Sequence, residues 1–273
     1  GSTSGCSDTK TVTLVVNPLP LISASSSPTA ICPGGTSTLT GSGGSTYTWS
    51  PGPLTGVSVT VSPLVNTTYT VVGTNSLGCS NTATTNVTIN PTPTVTASSA
   101  PLIICSGSSS TLTGNGAVSY TWNPGAVVGQ TINVTPPVST IYTVTGANAF
   151  GCTASAITIV SVNITPTLNP VASPTAICIG GTSTLSSSGA ASYTWNPGNL
   201  SGSSVTVAPL VTSTYTVVGS TSGCFDTKTV SVIVNPLPTI SGSGSPTAIC
   251  VGGSATLTGS CCSTYTWTLG PLV

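Results

Sequence analysis

The stretch STYTWSPG, residues 45–52, decides the fold. It returns as VSYTWNPG around Trp122, as ASYTWNPG around Trp195 and as STYTWTLG around Trp267, so all four tryptophans stand in one phrase. In an extended strand, side chains alternate between faces. Tyr47 and Trp49 therefore share one face, and Thr46 and Thr48 take the other. A large aromatic buries roughly 150–250 Å², and a domain of about 70 residues has little else to bury. The phrase reads as the plug of a small two-layer β domain, with Leu39, Val59, Val71 and Val87 as the expected neighbours of Trp49.

The surrounding sequence keeps step with the tryptophans. A linker-like NPLP or NPTP begins repeats at Asn17, Asn90, Asn163 (there NITP) and Asn235. Complete repeats cover 17–89, 90–162 and 163–234, residues 1–16 read as the C-terminal strand of a truncated repeat, and 235–273 as the N-terminal part of another. Residues 1–20 recur almost unchanged at 219–238, which marks the chain as a window on a longer array. Within the first repeat, period-two patterns mark LISASS as strand A, TSTLTGS as B, STYTWS as C, VSVTV as E, TYTVVGT as F and NTATTNVTI as G. Gly and Pro punctuate the junctions and no helical period occurs, which predicts an antiparallel sandwich of about seven strands per repeat. Tyr69, Tyr142 and Tyr215 open strand F as core residues, where a tyrosine hydroxyl often ties back to a nearby loop.

Composition excludes several functions. Charged residues are 1% of the chain, against roughly 25% in an average soluble protein. Ser and Thr take their place, giving a polar surface with little self-repulsion. No basic patch exists for a phosphate backbone, so nucleic acid is not an expected partner. No apolar run is long enough to span a bilayer, and no signal segment opens the chain. Acid–base catalysis needs titratable groups in a cleft, yet the only charged residues are Asp8, Lys10, Asp226 and Lys228. They occupy equivalent strand-G positions and read as exposed ion pairs, which are worth little. The chain has no His, which rules out a Ser–His–Asp set. A calcium site would need carboxylates that are missing. No catalytic, cofactor or metal residue is expected, and the protein is not read as an enzyme.

Taken with its repeat period, the string from NPLP through SPTAICPGGTSTLTGSGGSTYTWSPG to NTATTNVTI resembles the Ig-like repeats of very large secreted surface adhesins of the Bacteroidetes, including gliding-motility adhesins. The resemblance covers essentially the whole chain and rests on IC-x-GG, YTW and GC at fixed intervals. It implies a tandem array of Ig-like β-sandwiches, export by the type IX route and display as long fibres. The shortage of charge departs from the family.

Ten cysteines without His point to disulfides and an oxidising, extracellular compartment. Cys32, Cys105, Cys178 and Cys250 precede strand B; Cys6, Cys79, Cys152 and Cys224 follow the F–G turn. The resemblance, with one pair per domain, implies bonds within repeats: 32 with 79, 105 with 152, 178 with 224. Sandwich geometry sets the A–B and F–G turns at opposite ends, roughly 20 Å apart, whereas a disulfide needs Cα atoms within about 7 Å. Head-to-tail stacking would instead let Cys32 reach Cys152 and Cys105 reach Cys224. Both arrangements stay open, since an irregular A strand would rescue the first. Adjacent Cys261 and Cys262 are expected to take separate partners or stay free.

Asn66, Asn86, Asn133, Asn163 and Asn199 stand in N-x-S/T triplets and are candidate glycosylation acceptors. Two functions follow: a structural segment of an extracellular filament or adhesin stalk, with further copies of itself and surface glycans as candidate partners, or a carbohydrate-binding accessory module. Solvent exposure of Trp122 or Trp195 would favour the second.

Overall fold

The structure, a computed structural model, describes residues 1–268 and is all-β, a tandem series of β-sandwiches. A hairpin of β1 (Ser2–Thr3) and β2 (Cys6–Ser7) comes first. The first sandwich comprises β3 (Ser23–Ser27), β4 (Ala30–Ile31), β5 (Ser37–Ser42), β6 (Thr46–Ser50), β7 (Leu54–Thr55), β8 (Ser58–Val61), β9 (Thr67–Thr74) and β10 (Ser80–Ile89). The same order recurs as β11 (Thr96–Ala100), β12 (Ile103–Cys105), β13 (Ser110–Asn115), β14 (Ser119–Asn123), β15 (Val127–Val128), β16 (Thr131–Val134), β17 (Thr140–Ala147) and β18 (Thr153–Asn163). The third set is β19 (Asn169–Ser173), β20 (Ala176–Cys178), β21 (Ser183–Ser188), β22 (Ser192–Asn196), β23 (Leu200–Ser201), β24 (Ser204–Val207), β25 (Ser213–Thr221) and β26 (Cys224–Asn235). A last hairpin pairs β27 (Ser241–Ser245) with β28 (Thr256–Ser260). The chain divides into two compact units, Gly1–Leu102 with Ser109–Ser161, and Ile103–Ser108 with Val162 onward.

In the first sandwich a three-stranded sheet, β3–β5–β8, faces a five-stranded one, β4–β10–β9–β6–β7. The third sandwich is built identically, as β19–β21–β24 and β20–β26–β25–β22–β23. Eight segments appear where about seven strands are expected: strand A splits, and a short β7 pairs with β6 between strands C and E. The first half of strand A, β3, pairs antiparallel with β5. Its second half, β4, crosses to the other sheet and lies parallel to the end of β10, Ile31 beside Ile89. Ile31 is thereby buried.

Alternation does the rest. Along β5 and β6 every second residue is buried, which puts Leu39, Tyr47 and Trp49 inside with Ile22, Val61, Tyr69, Val71 and Val87. Trp49 stands opposite Val71, Trp122 opposite Val144 and Trp195 opposite Val217, and all six are fully buried. Val59, paired with Leu39 on the edge strand, packs against this core as expected while staying half-buried, and Val61, two residues on along the same face, is buried.

Two further hydrogen bonds recur. Each indole Nε1 donates to a glycine carbonyl in the following turn, Gly56, Gly129 or Gly202, at 3.0 Å, so the turn is closed by the core itself. Each strand-C tyrosine, Tyr47, Tyr120 or Tyr193, donates its hydroxyl to a carbonyl three residues back at 2.8 Å and accepts that residue's amide. This corrects the expectation for strand F. Tyr69, Tyr142 and Tyr215 are buried, but their hydroxyls make no hydrogen bond among the described residues; desolvation raises the pKa of Tyr69 and Tyr142. A Cβ on Gly41 or Gly114 would come within 2.8 or 2.7 Å of the ring of Tyr47 or Tyr120. The third repeat has Ser187 at this place, and Tyr193 there is only half-buried.

Two terminal stretches depart from the sequence reading. Residues 8–22 form no strand, and Val12, Leu14 and Val16 lie exposed, because the strand-G pattern at 11–16 has no neighbour to take its backbone hydrogen bonds. Trp267, expected in a core, is 49% exposed. Among the described residues the last copy contributes the β27–β28 hairpin without an opposing sheet to cover the indole.

Candidate functional site: cysteine junctions between repeats

The structure joins Cys32 to Cys152, with Cα atoms 5.4 Å apart, and Cys105 to Cys224, with Cα atoms 5.7 Å apart. Each bond links the A–B loop of one repeat to the F–G turn of the next. The pairings within repeats that the family resemblance implied do not form: Cys79 and Cys178 are free, as are Cys6 and Cys250. The reason lies in chain direction. β4 runs parallel to β10 and so ends level with the strand-G terminus, leaving Cys32 at that end, while Cys79 sits in the turn that begins β10 at the other.

Both partners are pre-positioned by local chemistry. In the A–B loop the amides of Gly35 and Ser108 donate to the carbonyls of Cys32 and Cys105, each at 2.9 Å. In the second repeat's F–G turn, Asn148 accepts from the amides of Phe150 and Cys152, each at 3.0 Å, and its Nδ2 donates to Pro91 of the linker at 2.7 Å. The residue before that proline, Asn90, donates its amide to the Ile31 carbonyl at 2.8 Å. The linker is thus held from both sides, and the disulfide closes over it. At the second junction the Ser106 amide donates to the Asn163 carbonyl at 2.9 Å and Asn163 Nδ2 donates to Ser222 at 2.8 Å. The third repeat's F–G turn is one residue shorter, with Ser222 and Gly223 at φ 51° and 81°. That two-residue turn pairs Thr221 with Cys224 and makes the third repeat, 163–234, one residue shorter than the first two. The first hairpin repeats it: Ser4 and Gly5 have φ 53° and 86°, and Thr3 pairs with Cys6.

Cys261 and Cys262 correct a further expectation, because they are bonded to each other. Cys261 adopts φ 100°.

The charged residues do more than pair on a strand. Lys10 Nζ lies 4.0 Å from Asp8, both highly exposed. Asp226 instead accepts the Leu168 amide at 3.0 Å and the Thr227 amide at 2.8 Å, clipping β26 to the start of its repeat. The Leu168 hydrogen bond, chiefly, holds its carboxyl below the usual carboxylate range, against desolvation and with help from Thr227 and Lys228. Because the folded pKa is depressed, this contribution to stability is present above the unfolded value of about 3.9 and is lost as pH falls through the folded value. Thermal melts of Asp226→Asn should coincide with wild type below that window and fall beneath it above. Superimposable melts at neutral pH would remove the clip.

The candidate acceptors are dispersed over the surface. Asn66, Asn86, Asn133 and Asn199 are exposed, although Asn66 accepts the Ile89 amide at 2.7 Å and Asn133 accepts from Thr111 at 2.7 Å. Asn163 is half-buried at the second junction. Among the described residues no group of three or more His, Cys, Asp or Glu could hold a metal ion, and no helix is long and apolar enough to cross a membrane.

No protein-family model and no curated protein matches the chain. Among solved structures, it is similar to a Ca²⁺-stabilized adhesin with which an Antarctic bacterium reaches out and binds ice, at 15% identity over 83% of this chain and 77% of that one, TM-score 0.39. It is also similar to the I67–I69 I-band fragment of titin, at 14% identity over 80% of this chain and 100% of that one, TM-score 0.40. A third likeness is to a 1.5-MDa bacterial ice-binding adhesin, at 16% identity over 81% of this chain and 100% of that one, TM-score 0.32.

Proposed function

We propose that this chain is a load-bearing repeat segment of an extracellular filament or adhesin stalk, with repeats bounded at 17–89, 90–162 and 163–234. The observation that carries the reading is the pair of covalent bridges from one repeat's A–B loop to the next repeat's F–G turn. Nothing in a binding or catalytic role asks for such bridges, whereas a strand under tension gains from linking repeats by more than a linker. Disulfides of this kind also belong outside the cytoplasm. The sequence resemblance refines the proposal to a Bacteroidetes surface adhesin of the gliding type, exported by the type IX route, with further copies of the same array and surface glycans as partners. The exposed asparagines are the proposed acceptors for sugar, which would supply the hydration that charge does not. A carbohydrate platform gains no support, since Trp49, Trp122 and Trp195 are fully buried.

Immunogold labelling of intact cells with antibody to residues 163–234 tests the proposal. Label along threads outside the cell is expected, and label confined to the cell interior rejects it. Intact mass tests the sugar separately: residues 1–273 made and exported as a secreted segment at the bare 26.5 kDa carry none.

A further inference from the structure

The second repeat differs from its neighbours on one face. β14, β17 and β18 turn Trp122, Tyr142, Val144 and Val160 into the core, and the alternate side chains of the same strands face solvent. On that outer face Ile141 stands opposite Ile159, with Ile157 two residues away along β18. These three and Leu102, in the bend before β12, line one shallow hollow together with Thr158. Ile141, Ile159, Ile157 and Leu102 are 60%, 42%, 68% and 53% exposed. At the equivalent positions the first repeat carries Thr68, Asn86, Thr84 and Thr29, and the third Thr214, Ser231, Thr229 and Thr175, in the same strand register. The pattern is thus kept on the buried side and broken on the exposed one, at four positions that meet in space. Single exposed aliphatics are ordinary on a protein surface, whereas a contiguous apolar cluster marks a contact site.

We propose that this face is a lateral contact surface between copies of the chain, covered by the same face of a second copy across a two-fold axis. Charge selects the occupant. The only charged side chains are Asp8, Lys10, Asp226 and Lys228, none of them in the second repeat, so nothing near the hollow answers a partner's charge. An ordinary protein surface, about a quarter charged, would lose the hydration of those charges there without compensation. A second copy brings none to strip. Beside the hollow the Thr145 and Ser155 hydroxyls bond each other at 3.0 Å, and covering them leaves that bond in place. Two sheet faces stack about 10 Å apart with interdigitated side chains, and a two-fold contact needs only one kind of patch. The outer face of β15, β14, β17 and β18 is about 19 Å across and about 26 Å along β17. A stacked pair therefore buries about 1,000 Å², the smallest area expected of a specific interface. Between two copies the contact is weak and reversible, and it gains strength where several such faces engage together. Side-by-side packing of this kind rests on the filament reading for its setting.

The test uses the whole chain carrying C6S, C79S, C178S and C250S, which keeps both junction disulfides and removes the free thiols that could join copies. Sedimentation equilibrium up to about 1 mM should show monomer and dimer in exchange, with a Kd of about 0.1–1 mM, the weak end for an interface of this size. L102T, I141T, I157T and I159N together restore the residues of the first repeat, which folds with them. They should weaken association about tenfold or more and leave the circular dichroism unchanged. The converse chain, with T29L, T68I, T84I and N86I, carries two such faces and should form species larger than a dimer. A chain that is monomeric throughout, or association that the first set of four changes leaves intact, overturns the proposal. So does binding to neutral phosphatidylcholine vesicles by a chain that does not pair with itself, if those four changes abolish it; the face would then belong to lipid. Labelled threads outside the cell, from a chain that stays monomeric, would sink this inference alone. A chain that pairs through the face yet is confined to the cell interior would sink the filament reading alone.

Discussion

Replacing Trp49 with alanine is expected to unfold the first sandwich while leaving the third intact. The indole is fully buried against Leu39, Val71 and Val87, and losing such a side chain costs about 3–5 kcal/mol. The Gly56 carbonyl also loses the indole Nε1 that satisfies it, a further cost of about 1–3 kcal/mol where it stays buried. A domain of this size has only about 4–10 kcal/mol of stability in total. Hydrogen exchange followed by mass spectrometry should therefore show protection lost across 17–89 and kept across 183–234. Trp49→Phe, which keeps most of the bulk and loses the donor, should fall between. Trp267→Ala should change little, since that indole is half exposed. A Trp49→Ala chain with full protection in 17–89 would falsify the assignment of the indole as the plug.

The second large effect is on extension. The loops closed by the two disulfides overlap: Cys105 lies inside the first and Cys152 inside the second. A pull applied outside Cys32 and Cys224 can cross both bonds and run back along the backbone between Cys152 and Cys105. That path is 47 residues, where the open chain from Cys32 to Cys224 is 192. At roughly 3.5 Å per extended residue, the taut lengths are about 160 Å and about 670 Å. Cys105→Ser opens one bridge and should give about 250 Å, the path from Cys152 to Cys224. Single-molecule stretching with and without reductant reads all three lengths. An oxidised chain that extends as far as the reduced one would show that the bridges are absent in solution.

What the sequence discloses follows from range. Alternation is local, so the inward set Leu39, Tyr47, Trp49 and Val71 can be read from four short phrases, and all four are buried. Val59, read from the same alternation, also packs against this core but stays half-buried, because β8 sits at a sheet edge, where the depth of burial along SVTV is set by long-range cover and not by pattern. The split of strand A escapes a local reading altogether: SASSS and AI carry nothing to say that one pairs antiparallel and the other parallel to a strand nearly 60 residues away. The same split decides which end Cys32 occupies, which is why two disulfide arrangements stood open. Tyrosine hydroxyls followed the same logic. The strand-C tyrosines find carbonyls three residues back, a contact that the spacing of Gly44 and Tyr47 permits and that no general motif announces. Asp226 was readable as a charge and unreadable as a clip, because Leu168 lies 58 residues away.

The crossing of strand A has a consequence for how a sandwich resists being pulled apart. β4 and the end of β10 are parallel neighbours, as are β20 and the end of β26, where three pairs, Ala176 with Ile233, Ile177 with Val234 and Cys178 with Asn235, lie side by side. Tension that enters before one strand and leaves after the other drags such neighbours lengthwise in opposite directions. Their hydrogen bonds are then loaded together in shear, and cannot be unzipped one after another from an end.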